Sequence, residues 1–154
     1  MGIGSQERQI GDAVRTRPGR EHVSEGERRK YREPAGASSY GIADLALLAA
    51  DTHKFEARYC DRLIGPWPGA KDVYEARSPI HHLDGFDRPL IVFQGLDDMV
   101  VPPNQSEMIV AALRAKGVEC EYHAYEGEGH GFRQAATIVA SLTAELAFYQ
   151  RILP

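Results

Sequence analysis

The apolar positions along the chain predict three β-strands. Residues 90–94, Leu-Ile-Val-Phe-Gln, form a continuous apolar run between turn signals, which is typical of a strand buried on both faces of a parallel sheet. Residues 119–125 alternate between polar and apolar side chains, which predicts a strand with one wet face or a position near a sheet edge. Residues 35–40 form a short apolar segment that Gly41 closes, and we interpret it as a third strand.

Apolar residues at helical spacing lie between and after these strands. Pro102 and Pro103 can begin a helix at residues 103–116, because their missing N–H groups would be unpaired in the first turn, and Gly117 can close it. Residues 134–152 predict a C-terminal helix with one apolar face. That face consists of Ile138, Val139, Leu142, Leu146, Tyr149 and Ile152. Shorter helices are predicted at residues 43–50, 55–64 and 71–76. The alternation of strands and helices favours an α/β fold with parallel strands.

The first 34 residues differ in character from the rest. They contain eight Lys or Arg, six Asp or Glu and only seven hydrophobic residues, most of them isolated. Such a segment buries too little apolar surface to offset the entropy of ordering it, so we expect residues 1–34 to be disordered or loosely helical. Residues 35–154 form the folded domain in this interpretation.

Charge and composition exclude several classes of partner. A net charge of -4 and a pI near 5.9 give no electrostatic reason to expect nucleic acid or an anionic membrane as partner. No run approaches the roughly 18 apolar residues that span a bilayer, and a cytoplasmic protein is the expectation. Cys60 and Cys120 are far apart and lack a C-x-x-C pattern, so we interpret both as buried small hydrophobic residues.

Two residues follow consecutive strands and form the candidate chemistry. Asp98 follows the strand at 90–94, and His130 follows the strand at 119–125. One helix and one strand between them return the chain to the same sheet edge, where ligands and catalytic groups gather in open α/β sheets. A carboxylate that binds histidine Nδ1 fixes the tautomer whose Nε2 can take a proton from a serine hydroxyl. The order Asp then His matches the last two members of an α/β-hydrolase triad.

Simpler interpretations stay open for these and other residues. A lone Asp after a strand is usually a turn or cap residue, and a lone His is usually a satisfied polar group. His81 and His82 are adjacent and would point in different directions, so a metal site there would need further partners. Neither cysteine lies in an elbow that would make it a substitute nucleophile.

Two motifs resemble the catalytic loops of the prolyl oligopeptidase family of serine peptidases. Residues 93–103, Phe-Gln-Gly-Leu-Asp-Asp-Met-Val-Val-Pro-Pro, resemble the acid loop, and Asp98 matches the family's acid better than Asp97 does. Residues 127–132, Gly-Glu-Gly-His-Gly-Phe, resemble the histidine loop and place His130 at the family's base. Further similarity lies at residues 35–44, 51–56 and 77–80, especially to the bacterial acylaminoacyl- and dipeptidyl-peptidase-like branch.

The resemblance implies a partial α/β-hydrolase fold: the C-terminal three parallel strands with flanking helices. It implies peptide hydrolysis through a Ser-Asp-His triad, with peptide as substrate and no cofactor. The family's nucleophile lies in a Gly-x-Ser-x-Gly elbow, and this sequence contains no such elbow. The N–H groups beside the nucleophile, half of the oxyanion hole, are then missing as well. We therefore expect this chain alone to be inactive.

Two other functions remain as alternatives. An esterase of the α/β-hydrolase class would use the same triad on different acyl groups. A non-catalytic interaction module would pair with other chains. In the family, the strand at 35–40 lies beside the strand that bears the nucleophile, so its open edge predicts self-association.

Overall fold

The computed structural model describes residues 34–51 and 59–153. The strands are β1 (Gly36–Ser39), β2 (Leu90–Gly95) and β3 (Cys120–Tyr125). The helices are α1 (Leu45–Asp51), α2 (Tyr59–Leu63), α3 (Lys71–Arg77), α4 (Pro103–Ala115) and α5 (Ala135–Ile152). The disorder expected for residues 1–34 falls almost wholly outside the described residues, as does the first part of the helix predicted at 55–64.

The three strands form one parallel sheet in the order β1-β2-β3. Ser39 is paired with Phe93, and Gly95 is paired with Tyr125, so all three strands end at the same edge. The predicted parallel arrangement is confirmed, and each predicted strand lies within two residues of its observed bounds. The loops that follow β2 and β3 emerge side by side because parallel strands share their carboxyl edge.

The central strand β2 is buried on both faces, as its apolar run predicts. Val92 packs against Ile109, Val110 and Leu113 of α4 on one face. Ile91 and Phe93 belong to a second cluster that includes Phe148 of α5 on the other face. The two long helices thus cover opposite sides of the sheet, which follows from the alternation of side chains along a strand.

Strand β3 is partly exposed on both faces. Cys120 and Tyr122 contact the cluster on the α4 side, whereas His123 lies on the other face against Phe93. The predicted alternation is correct for these residues, but Ala124 is exposed although the pattern places it on the apolar face. A strand at the end of the described sheet has neighbours on one side only, so its last residues receive less cover.

The predicted apolar face of α5 is wrong in part. Phe148 is buried against the sheet, with Ala144, Tyr149 and Ile152 packed beside it. Most of the predicted face points outward instead. It forms an outer stripe of α5 whose residues are 39% to 64% exposed, namely Ile138, Val139, Leu142 and Leu146. The helix is apolar on two sides, and periodicity alone does not reveal which side meets the sheet. Among the described residues, no helix is long and apolar enough to cross a membrane.

A buried glutamine anchors the segment after β1. Gln105, in the first turn of α4, is 1% exposed, and its Oε1 accepts hydrogen bonds from the N–H groups of Ala43 (3.0 Å) and Asp44 (2.8 Å). Those N–H groups precede α1, where the Asp44 side chain accepts from the first turn of the helix. Gln105 therefore ties α4 to the start of α1.

Candidate active site

The acid loop connects β2 to α4, and we define it as residues 95–101. Asp98 lies in it with its side chain fully buried. Its Oδ1 accepts hydrogen bonds from the N–H groups of Val100 (2.8 Å) and Val101 (2.9 Å). This is the local pattern that Asp favours in turns, because its short side chain reaches the backbone two or three residues ahead. Oδ2 is left to face the neighbouring loop.

The histidine loop connects β3 to α5, and we define it as residues 126–134. Asp98 Oδ2 lies 2.9 Å from His130 Nδ1, across 32 positions of sequence. An ionised carboxylate can only accept, so Nδ1 carries the proton and Nε2 is the acceptor nitrogen of the neutral ring. The His130 side chain is 22% exposed, whereas that of Asp98 has no exposed surface. The pair thus has its acid inside and its base at the surface.

The charge of Asp98 is maintained by its hydrogen bonds. Burial favours the protonated carboxyl and raises its pKa, but the hydrogen bonds from His130, Val101 and Val100 outweigh burial, and the pKa lies below the ordinary value of 3.8. Asp98 is therefore ionised at neutral pH and able to stabilise a positive charge on His130. Asp97, the neighbouring candidate, is exposed.

The acid and histidine loops are in direct backbone contact. The N–H of Asp97 donates to the carbonyl of Glu128 at 2.9 Å, and the N–H of Leu96 donates to the carbonyl of Tyr125 at 2.9 Å. Gly95 faces the same place: a Cβ there would lie 2.4 Å from the Glu128 carbonyl oxygen. This approach requires glycine, because real Cβ contacts are never so short.

Glu128 closes the histidine loop with a buried carboxylate. Its two oxygens accept from the N–H groups of Arg133 (2.9 Å) and Gln134 (3.0 Å), at the start of α5. Gln134, the N-cap residue, makes no capping hydrogen bond through its own side chain. Burial raises the pKa of Glu128, but the hydrogen bonds from Arg133, Gln134 and Thr137 outweigh burial, and the pKa lies below its ordinary value of 4.5. Glu128 therefore caps α5 from within the loop that carries His130.

Tyr40, directly after β1, packs on His130. The centres of the two rings are 5.1 Å apart, and the Tyr40 hydroxyl accepts a hydrogen bond of 2.7 Å from the N–H of Phe132. Its φ of 58° is in the left-handed region, which costs about 1 kcal/mol for a residue with a side chain. Burial raises the pKa of Tyr40 above 10.0, so its hydroxyl stays neutral. The packing of the site maintains this strained backbone.

Sequence reasoning found Asp98 and His130 but assigned no role to Tyr40 or Glu128. The available signals were a tyrosine at the end of a predicted strand and a glutamate between two glycines in the histidine motif. Neither signal reveals a partner, because the partners are backbone groups whose position depends on the fold. The sequence thus identifies the two residues of the pair, and the structure shows the groups that hold them in place.

The other candidates lie elsewhere. His81 and His82 are exposed, and within the described ranges no group of three or more His, Cys, Asp or Glu side chains could hold a metal ion. Cys60 is buried, as the sequence suggests, whereas Cys120 is only half-buried.

Comparison with known proteins gives this geometry a family. Residues 26–154 match the model of the prolyl oligopeptidase family, a range that starts upstream of the similarity at residues 35–44. The chain is similar to the structure of a Mycobacterium tuberculosis puromycin-hydrolysing peptidase, with 50% identity and a TM-score of 0.74. The match covers 77% of this chain and 18% of that chain.

Two curated relatives also resemble this chain, one over a shorter stretch and one at lower identity. Dipeptidyl aminopeptidase BIII of Pseudoxanthomonas mexicana is 39% identical over 56 residues, which are 36% of this chain and 8% of the relative. Esterase LipQ of Mycobacterium tuberculosis is 29% identical over 114 residues, which are 72% of this chain and 27% of the relative. The chain thus spans only a small part of the length of the proteins that it matches.

The structural match confirms the expected fold: three parallel strands with flanking helices, as found in α/β-hydrolases. The family match covers most of the sequence and includes both loops of the candidate site. The chain therefore belongs to the prolyl oligopeptidase family of serine peptidases.

Proposed function

We propose that this chain supplies the acid and the base of a serine peptidase active site, with Asp98 and His130 as catalytic residues. The observation that carries the proposal is the 2.9 Å contact between Asp98 Oδ2 and His130 Nδ1 at the carboxyl edge of the sheet. The buried, ionised acid fixes the ring so that Nε2 is free to accept a proton. This is the half of a Ser-Asp-His triad that the sequence order predicts.

The proposed reaction is acyl transfer to a serine hydroxyl that lies outside this chain. His130 Nε2 takes the hydroxyl proton as the oxygen attacks the peptide carbonyl, and Asp98 stabilises the resulting imidazolium. The imidazolium then gives its proton to the leaving amine, and the acyl-enzyme remains. Water, activated by the same nitrogen, releases the acid and restores the serine.

A chimera provides the test. Residues 35–154 would replace the matched region of the Mycobacterium tuberculosis puromycin-hydrolysing peptidase, to which this chain is 50% identical over the match. We expect the chimera to hydrolyse puromycin, and we expect His130→Ala to lower kcat by about 10⁴ because the base is lost. Asp98→Asn should cause a loss of similar size.

A second histidine gives the matched control. His123 is 34% exposed on β3 and contacts Glu121, but it lies on a strand and not in the histidine loop. His123→Ala should leave kcat within about threefold of the chimera, since the side chain contacts Glu121 and Phe93 rather than Asp98. Equal activity of the His130→Ala chimera and its parent would overturn the proposal.

The chain by itself should show no peptidase activity. A fluorophosphonate probe reacts with an activated serine, and the Gly-x-Ser-x-Gly elbow that would present one is not in this sequence. We expect no labelling of the purified chain. Stoichiometric labelling that one serine substitution abolishes would show that the chain has a nucleophile of its own.

Ester hydrolysis is the alternative, and the match to an esterase over 72% of this chain favours it. The two activities use the same acid and base, so the difference lies in the acyl and leaving groups. Comparing kcat/KM of the chimera on an aminoacyl amide and on the corresponding aryl ester would separate them. The peptidase proposal requires the amide to be hydrolysed by a route that His130→Ala abolishes.

Self-association remains a prediction. β1 is paired with β2 on one side, and no strand within the described residues pairs with its other side. Unpaired backbone groups at an open edge favour addition of another strand. Light scattering on the purified chain should give a mass above that of a monomer, and a single monomeric species would contradict the prediction.

A further inference from the structure

One buried amide beneath the acid loop has no part in the reaction proposed above. Gln94 is the only polar side chain among residues 90–94 of β2, and it is completely buried. A buried amide without hydrogen bonds is destabilising by about 1–3 kcal/mol, so its partners explain why it can lie there.

The Gln94 amide joins the two ends of the acid loop. Its Nε2 donates to the carbonyl of Gly95, where the loop begins, and to the carbonyl of Val101, where it ends, both at 3.0 Å. Its Oε1 accepts from the hydroxyl of Ser106 in α4 at 2.7 Å. The glutamine therefore closes the loop into a ring and attaches that ring to the helix.

Asp98 is held inside this ring. Val101 bonds to both side chains, since its N–H donates to Asp98 Oδ1 while its carbonyl accepts from Gln94. Gln94 Nε2 also lies 3.5 Å from Asp98 Oδ2, the oxygen that accepts from His130. The amide thus contacts the loop on which the carboxylate depends and lies next to the oxygen that faces the base.

We propose that Gln94 is a positioning residue, which fixes the orientation of Asp98 so that Oδ2 meets His130 Nδ1. The inference rests on the proposed function, because it concerns how the acid of that site is held. The hydrogen bonds of the Gln94 side chain go to the acid loop and to Ser106 and not to His130, so its effect on the base passes through Asp98. Without it, the acid loop loses the connection between its ends, and the carboxylate is free to rotate away from the ring.

A second buried glutamine allows this role to be separated from general stabilisation. Gln105 is as buried as Gln94, but its side-chain oxygen accepts from the N–H groups of Ala43 and Asp44, before α1, and not from the acid loop. Replacing either glutamine by Met removes one buried amide of similar size. Only the change at Gln94 should alter the hydrogen bond between Asp98 and His130.

The measurement is the tautomer of His130 in the intact 154-residue chain. Ring nitrogen chemical shifts, recorded by NMR, distinguish the two tautomers and give the fraction of neutral rings that carry the proton on Nδ1. The original chain sets the upper limit of that fraction, and Asp98→Ala, which removes the acceptor, sets the lower limit. We expect Gln94→Met to move the fraction at least halfway to the lower limit and Gln105→Met to leave it unchanged.

The outcomes distinguish the two proposals. An unchanged fraction in Gln94→Met, together with a clear change in Asp98→Ala, would overturn the role of Gln94 and leave the proposed function standing. An unchanged fraction in Asp98→Ala would contradict the proposed function, and the role of Gln94 would fall with it. Equal changes in Gln94→Met and Gln105→Met would reduce Gln94 to a structural residue.

A milder variant covers the case in which Gln94→Met does not fold. Ser106→Ala removes the hydroxyl that holds Gln94 Oε1 and leaves the amide in place. It should shift the Nδ1 fraction in the same direction by a smaller amount, with folding checked by circular dichroism. A folded Ser106→Ala chain with the original fraction would then count against the proposal.

Discussion

The acid loop and the histidine loop meet at one sheet edge, yet each is closed by a different kind of group. In the acid loop the neutral amide of Gln94 joins the two ends and leaves the charge to Asp98. In the histidine loop the carboxylate of Glu128 closes the loop around His130 by accepting from the N–H groups of Arg133 and Gln134, the two residues before α5. A helix N-terminus favours a negative charge, which suits a carboxylate in the histidine loop. A second negative charge beside Asp98 would instead compete with Asp98 for the proton of His130 Nδ1.

The difference shows that the charge of the group that closes each loop depends on the side chain that the loop positions. The acid loop holds an anion and is closed by a donor, and the histidine loop holds a base and is closed by an acceptor at the start of α5. Both arrangements leave buried polar groups paired, as stability in a low-dielectric interior requires. The two loops should therefore respond differently to substitution and to pH.

The largest effect is expected where the loops touch. Gly95→Ala places a Cβ against the carbonyl oxygens of Glu128 and Gly129, so one loop must move away from the other. We expect a loss of about 3 kcal/mol in the free energy of unfolding, measured by urea denaturation. Gly85→Ala is the control, because a Cβ there meets nothing within 4 Å, and it should change stability by less than about 0.5 kcal/mol. Equal stability of the two variants would show that the contact is not tight.

Acidification should weaken both loops through their carboxylates. The pKa values of Asp98 and Glu128 are lowered in the folded state from 3.8 and 4.5, so the unfolded chain binds protons first as the pH falls. Their contribution to stability is complete above these unfolded values and is lost as the pH falls through the lower folded values. Thermal denaturation between pH 6 and pH 2 should show the loss, roughly over the range where carboxyl groups titrate.

The variants Asp98→Asn and Glu128→Gln would assign that loss. Each should flatten the fall in Tm with acid, because one titrating carboxylate is gone. An unchanged slope in both variants would mean that other carboxyl groups cause the acid sensitivity.

Replacing one carboxylate alone should affect one loop. Glu128→Gln leaves a single acceptor oxygen for the N–H groups of Arg133 and Gln134, so one of them loses its partner. Hydrogen exchange should become faster at these two amides and in the histidine loop, with little change at Val100 and Val101. Glu126→Gln, an exposed neighbour in the same loop, is the matched control and should leave exchange as it was. Equal acceleration in both loops would contradict their independence.

The smallest effect is expected at the contact between β1 and the histidine loop. Tyr40→Phe removes the hydroxyl that accepts from the N–H of Phe132, which should lower the free energy of unfolding by about 1 kcal/mol. Tyr122→Phe is the control, since the buried Tyr122 hydroxyl has no hydrogen-bond partner within the described part of the chain. That change should be neutral or slightly stabilising in the same urea measurement. A larger loss at Tyr122 than at Tyr40 would contradict the assignment of these hydroxyl contacts.

The sequence by itself determined the strands and helices and indicated where the pair lies. The apolar run at 90–94 and the alternation at 119–125 are local signals, and each depends on which residues face the core. Asp98 and His130 were predictable because each lies in the loop that follows a strand, and parallel strands bring such loops to one edge. The resemblance to a family added the choice of Asp98 over Asp97, and the structure places Asp98 inside and Asp97 outside.

Only the tertiary structure decided how the pair is held and which side of α5 meets the sheet. Tyr40, Gln94 and Glu128 act through backbone carbonyl and N–H groups, which every residue carries and which no sequence pattern marks. The C-terminal helix is apolar on two sides, so its periodicity suits both, and packing against Ile91 and Phe93 selected the side of Phe148. Side-chain patterns are local properties of the chain, whereas the meeting of two loops depends on contacts between residues far apart in sequence.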